Sequence, residues 1–166
     1  LERTVIDAET RALAVRVLEA CRARKWTIAT AESCTGGLVA SALTEIAGSS
    51  DVVDRGFVTY SNAAKMEMLG VPEATLAAHG AVSRRTAEAM AKGALERAGV
   101  DLTVSITGVA GPGGGSAEKP VGLVHFATAA RDKLVHREKR YGDIGRSEVR
   151  RRSVIEALDM LLELAA

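Results

Sequence analysis

Trp26-Thr27-Ile28-Ala29-Thr30-Ala31-Glu32-Ser33-Cys34-Thr35-Gly36-Gly37, continued by an apolar segment from Leu38 to Ile46 that stops at Gly48, is the stretch on which the fold class turns. Trp26 to Thr30 is a short β-prone run. The two glycines permit a tight turn, and the segment beyond them reads as a helix. Upstream, residues 7 to 24 carry Ala12, Leu13, Val17, Leu18 and Cys21 at three- and four-residue intervals, the spacing of an amphipathic helix. Downstream, Val52 to Tyr60 is a second strand candidate. Asn62 is expected to cap a short helix ending at Gly70, and Pro72 starts another that ends near Gly80. Ser83 caps a longer helix whose Ala87, Met90, Ala91, Ala94, Leu95 and Ala98 share one face, with Gly99 as its stop. Strands follow at Leu102 to Ile106, Val121 to Thr128 and Leu134 to Tyr141. A last helix runs from about Gly145 to Leu164 over a stripe of Val154, Ile155, Leu158, Leu161 and Leu162. The alternation predicts an α/β fold, a layered α/β/α domain with a central mixed β-sheet. The connection between the last two strands is too short for a crossover helix, so that pair should be antiparallel.

The composition supports one domain spanning residues 1–166. A chain of this length buries about 70% of its unfolded surface and needs neither disulfide nor metal to hold a core. Only Cys21 and Cys34 occur, without CxxC spacing, beside three scattered histidines (His79, His125, His136), so no metal site and no metal cofactor are expected. Such cysteine usage fits a reducing, cytoplasmic setting. No apolar run approaches the roughly 18 residues of a membrane span, and no signal peptide is evident, so membrane association and export are not expected. Lys plus Arg number 22 against 21 Asp plus Glu, and aromatic residues make up only 3% of the chain. With no net field and few stacking groups, nucleic acid is not expected as a partner. The chain begins with Leu1 rather than Met, which reads as a trimmed chain or a piece of a longer polypeptide.

Three loops combine permissive backbone with reactive side chains, and each follows a predicted strand, where open α/β folds place their ligands. In Thr30 to Gly37, small residues and glycines let a ligand approach the N–H groups at a helix start, and Ser33 there is a candidate nucleophile. The plainer alternative is that Ser33 or Thr35 caps the helix. Cys34 is a rival nucleophile or an apolar neighbour of the turn. In Val58 to Lys65, Lys65 falls in the first turn of a helix, against the dipole; a field that lowers its pKa would make it a base, and an exposed lysine tolerating the cost is the alternative. In Ser105 to Gly115, five glycines in the nine positions 107–115 leave a loop able to offer N–H donors to an anion or a flat polar group. It matches neither a Walker A loop nor a dinucleotide fingerprint, and a flexible surface loop is its alternative. Arg146, Arg150, Arg151 and Arg152 crowd the start of the final helix. One of them aimed at a phosphate would account for that placement, with solvated surface expected for most.

These segments, together with His79-Gly80-Ala81-Val82-Ser83 and Glu118-Lys119-Pro120-Val121-Gly122, resemble the CinA C-terminal domain family over nearly the whole chain. Active members of that family are nicotinamide-nucleotide amidohydrolases, which release ammonia from nicotinamide mononucleotide without a metal. The resemblance implies Ser33 as nucleophile, Lys65 as its base, and Tyr60 and Thr107 as relay or positioning groups. It places Cys34, Thr35, Gly36, Gly37, Gly108, Gly111 and Arg146 on the substrate, a small-molecule nucleotide. The family's Gly-Asp-Arg is here Gly142-Asp143-Ile144-Gly145-Arg146, two residues longer, so Arg146 is aligned with the family arginine and Arg150 is the fallback. The resemblance also implies a homo-oligomer, a dimer or larger. Two other readings stand beside it: a non-catalytic nucleotide-binding or protein-interaction module, and an amidase or deaminase for a different substrate.

Overall fold

The computed structural model describes residues 5–166; Leu1, with which the sequence begins, lies outside them. Helices α1 (Ala8–Arg24), α2 (Leu38–Thr44), α3 (Asn62–Leu69), α4 (Glu73–His79), α5 (Arg84–Ala98) and α6 (Arg146–Ala165) surround strands β1 (Ile28–Glu32), β2 (Val53–Val58), β3 (Leu102–Gly108), β4 (Leu123–Ala130) and β5 (Lys133–Arg140). The sheet order is β2-β1-β3-β4-β5. β1 runs parallel to both β2 and β3, whereas β3–β4 and β4–β5 are antiparallel, so the sheet is mixed as expected. β1 is buried along its whole length, as a strand covered on both faces must be, and edge strand β2 is largely exposed.

One face of the sheet packs Ile28, Val104, Ile106 and Phe126 against Val17, Leu18, Leu43, Leu158 and Leu161 of α1, α2 and α6. The other face packs Ala31, Ala127 and Ala129 against Leu69, Leu76, Met90, Ala87 and Ala91 of α3, α4 and α5. That is the expected α/β/α layering. Along β3 the polar side chains of alternate residues face α5 and the segment before it: the hydroxyls of Thr103 and Ser105 donate to the α5 carbonyls of Ala91 and Ala87, and that of Thr107 to the Ala81 carbonyl. This ladder escapes a reading based on apolar periodicity, because it consists of small polar residues satisfied by backbone carbonyls.

Helix starts follow local chemistry, with two corrections. Asp7 accepts from the Thr10 N–H at 2.8 Å, and Ser83 accepts from that of Thr86 at 3.2 Å, closing the first turns of α1 and α5. For α3 the cap is Ser61, whose Oγ accepts from the Ala64 N–H at 3.0 Å, and Asn62 is the first helical residue instead. For α2 neither Ser33 nor Thr35 is the cap; Gly37, at φ +104°, occupies that position without a side chain to offer. The α1 stripe is also shifted: Thr10 and Ala14 are buried beside Val17, Leu18 and Cys21, and Ala12 is exposed.

Candidate active site

Parallel pairing decides what comes together. β1, β2 and β3 all end at the same edge of the sheet, with Glu32 in register with both Val58 and Ile106. Ser33 directly after β1, Lys65 in the first turn of α3 after β2 and Thr107 near the end of β3 therefore converge although they are far apart in the chain. A cavity of about 180 Å³ lies between them and takes in Ser33, Cys34, Tyr60, Lys65, Thr107 and Gly108, with Arg146 closing it from α6. A larger groove of about 490 Å³ lies against α5, lined by Arg85, Glu88, Lys92 and Glu96 among others. It pairs no nucleophile with a base, so size does not identify the chemical site here.

Lys65 is only 1% exposed and Ser33 is 8% exposed. The ammonium Nζ of Lys65 donates to Ser33 Oγ at 3.0 Å, to the Thr59 carbonyl at 2.9 Å and to the Tyr60 carbonyl at 3.2 Å. Lys65 thus turns back from the helix start onto the chain just before it, where two carbonyl dipoles offset the field of the helix. Burial pushes its pKa below the ordinary lysine value. A neutral amine has two N–H donors and one lone pair, and carbonyls can only accept. Both N–H groups are therefore taken by Thr59 and Tyr60, leaving the lone pair facing the Ser33 hydroxyl.

Cys34 lines the same cavity, but burial pushes its thiol up to about 12, so it is no source of thiolate near neutrality. Tyr60, 64% exposed, stands at the mouth, and its hydroxyl accepts from Arg146 Nη2 at 3.1 Å. Arg146 Nη1 donates to the Gly111 carbonyl at 2.8 Å, so this one guanidinium ties the β2 loop to the glycine-rich loop. Arg150, the fallback anion ligand, is turned elsewhere: it donates to the Cys34 carbonyl at 3.1 Å and the Thr35 carbonyl at 3.3 Å. Arg151 and Arg152 pair with Glu148 at the surface, as expected of most of that cluster. Thr107 is at the wall, with its hydroxyl donated to Ala81 at 2.9 Å.

Other residues placed on the substrate sit differently. Thr35 is fully buried and donates its hydroxyl to Glu32, facing away from the cavity. Gly36 and Gly37 shape the turn at positive φ without lining the cavity, and Gly111 takes part through its carbonyl. The helix-start N–H groups expected to face a ligand are in part already committed: Gly36 N–H to the Ser33 carbonyl, and Val39 and Ala40 N–H to Glu32. Sequence reasoning missed Ala81, Val82 and Ala110 as the apolar wall, since three small residues in two loops carry no periodic signal. Among the described residues no group of three or more His, Cys, Asp or Glu could hold a metal ion, and no helix is long and apolar enough to cross a membrane.

The sequence model of the CinA C-terminal domain matches residues 10–165. A nicotinamide-nucleotide amidohydrolase, PncC, of Escherichia coli K12 is 54% identical over 157 residues, covering 93% of this chain and 94% of that protein. A CinA-like protein of Synechococcus sp. is also 54% identical, over 155 residues, but the chain spans only 37% of its length. Among solved structures, the competence/damage inducible protein CihA from Agrobacterium tumefaciens superposes with a TM-score of 0.97 at 56% identity, covering 99% of this chain and 100% of that one. Likeness of this extent in sequence and in backbone leaves one assignment: the chain belongs to the CinA C-terminal domain family.

Proposed function

We propose that this protein is a serine amidohydrolase that cleaves the carboxamide of nicotinamide mononucleotide, yielding nicotinate mononucleotide and ammonia. The observation that carries the reading is the buried Lys65 amine held 3.0 Å from Ser33 Oγ with its two other contacts on carbonyls. The name of the Escherichia coli relative supports the substrate. Neutral Lys65 takes the Ser33 proton as Oγ attacks the carboxamide carbon; a serine with a lysine base needs no histidine. The developing oxyanion is met at the turn itself by the N–H groups of Cys34 and Thr35, where such a donor is worth about 2.7–4 kcal/mol. Protonated Lys65 returns the proton to the departing ammonia, with Tyr60 as relay at the mouth. Water then attacks the acyl-enzyme, giving its proton to Lys65, and Ser33 leaves with the proton restored.

A cavity of about 180 Å³ accommodates a pyridine ring with its carboxamide against Ala81, Val82 and Ala110. The ribose phosphate extends outward to Arg146. Ammonia release from a panel of pyridine nucleotides and nucleosides tests this assignment. Hydrolysis of the mononucleotide is expected, with weaker apparent affinity for the riboside that lacks the phosphate. Ser33→Ala should lose at least about 1000-fold in turnover while still binding nucleotide. Turnover near the parent rate in that variant rules out Ser33 as nucleophile. Nucleotide binding without any ammonia release from the parent favours a binding module instead.

A further inference from the structure

Glu32 is the last residue of β1, directly before Ser33, and is fully buried. An interior carboxylate persists only where its hydrogen-bonding capacity is met. Here four donors converge on it. Oε1 accepts from the Thr35 hydroxyl at 2.7 Å and the Val39 N–H at 2.9 Å. Oε2 accepts from the Thr30 hydroxyl at 3.2 Å and the Ala40 N–H at 3.1 Å. These donors come from β1, from the turn after Ser33 and from the first turn of α2. Glu32 thus supplies, from upstream, the cap that Gly37 cannot offer α2. The same turn is held on its other side by Arg150, through the carbonyls of Cys34 and Thr35, and the Ser33 N–H is fixed on the Ile106 carbonyl at 2.9 Å.

From this we infer that Glu32 is a positioning residue for the nucleophile. Its carboxylate locks the strand end, the turn and the α2 start into one unit, so that Ser33 Oγ stays on the Lys65 amine. The inference rests on the proposed role of Ser33. Each carboxylate oxygen faces a backbone N–H, so an amide in either orientation sets an NH2 group against a peptide donor. Glu32→Gln therefore breaks the lock while keeping the shape. Glu32→Asp keeps the charge but is one methylene short of spanning both the turn and the helix.

The test is steady-state hydrolysis of nicotinamide mononucleotide well below the melting temperature of every variant. Glu32→Gln is expected to lower kcat by about 30-fold or more with KM within about 3-fold, since misplacing a reacting atom by an ångström costs up to about 100-fold. Glu32→Asp should recover part of the loss. Arg24→Ala, which removes the stacking on Trp26 before the start of β1 and the bonds to the Leu164 and Ala165 carbonyls, at the opposite end of the strand from Ser33, controls for lost stability and should keep the parent kcat. If Glu32→Gln does not fold, Thr35→Val, which removes one of the four donors, should show a smaller loss in kcat with the same unchanged KM. Parent-like kcat in a folded Glu32→Gln, or in Thr35→Val where that variant decides, overturns the inference, as does an equal loss in Arg24→Ala. If the parent leaves the nucleotide intact, the rate at which a fluorophosphonate probe modifies Ser33 replaces kcat. Failure of the substrate assignment and failure of the Glu32 assignment are then told apart, and a parent that is neither active nor labelled overturns both.

Discussion

Lys65 shows how much one side chain depends on its surroundings. Its place in the first turn of a helix was legible as an anomaly, and the structure resolves it by turning the amine onto two carbonyls and a serine in a buried pocket. The folded chain releases the Lys65 proton at lower pH than the unfolded chain, which holds it up to the ordinary value of 10.5. Between those two values the unfolded state binds more protons, so raising the pH favours the folded state. Relative to Lys65→Met, the parent should therefore gain stability as pH rises through this window and gain no more above 10.5. Melting temperatures at stepped pH check this. The same deprotonation sets the acid limb of kcat/KM, which should lie below the ordinary lysine range and vanish in Lys65→Met together with activity. Because Ser33 and Lys65 act as a unit, the double variant should be no worse than the worse single variant.

At the scale of elements, the approach of α3 to α5 holds the helix that carries Lys65. A Cβ added at Gly93, in the middle of α5, would lie 1.9 Å from the Leu69 carbonyl at the end of α3. Gly93→Ala would ordinarily favour a helix by about 1 kcal/mol. Here a backbone atom is in the way, so the change should destabilise by about 1–3 kcal/mol and lower the melting temperature by a few to about ten degrees. It should also lower kcat, because relieving the clash moves α3. A calorimetric scan paired with turnover at one temperature checks both. α2 carries the complementary lesson: its start was legible from the glycine pair, but its cap was not, since the capping oxygen belongs to Glu32, seven and eight residues before the N–H groups it serves.

Across the whole molecule, α1 and α6 close the back of the sheet. Arg24, at the end of α1, stacks over Trp26 at 3.7 Å and donates to the carbonyls of Leu164 and Ala165 at the end of α6. Cys21 lies in that core and Cys34 in the wall of the site. Both are buried, and burial raises their thiols to about 11 and about 12. A disulfide-exchange reagent at pH 8 should modify neither thiol at an appreciable rate in the native protein and both at once in guanidinium. Fast reaction of one native thiol would show that its layer opens locally without global unfolding.

The amino-acid sequence by itself determined the elements and the three loops that carry chemistry, because apolar periodicity, capping residues and glycine stops act within a few residues of one another. It also carried the family resemblance that the solved relatives bear out. Only the tertiary structure decided that β1 lies between β2 and β3 with all three parallel, and hence that Ser33 and Lys65 meet at 3.0 Å. It likewise decided that Arg146 reaches Tyr60 and Gly111 while Arg150 is spent on carbonyls, and that Glu32 is a cap and not a surface charge. Strand order and the direction of a buried side chain follow from how whole layers pack, and no local spacing encodes them.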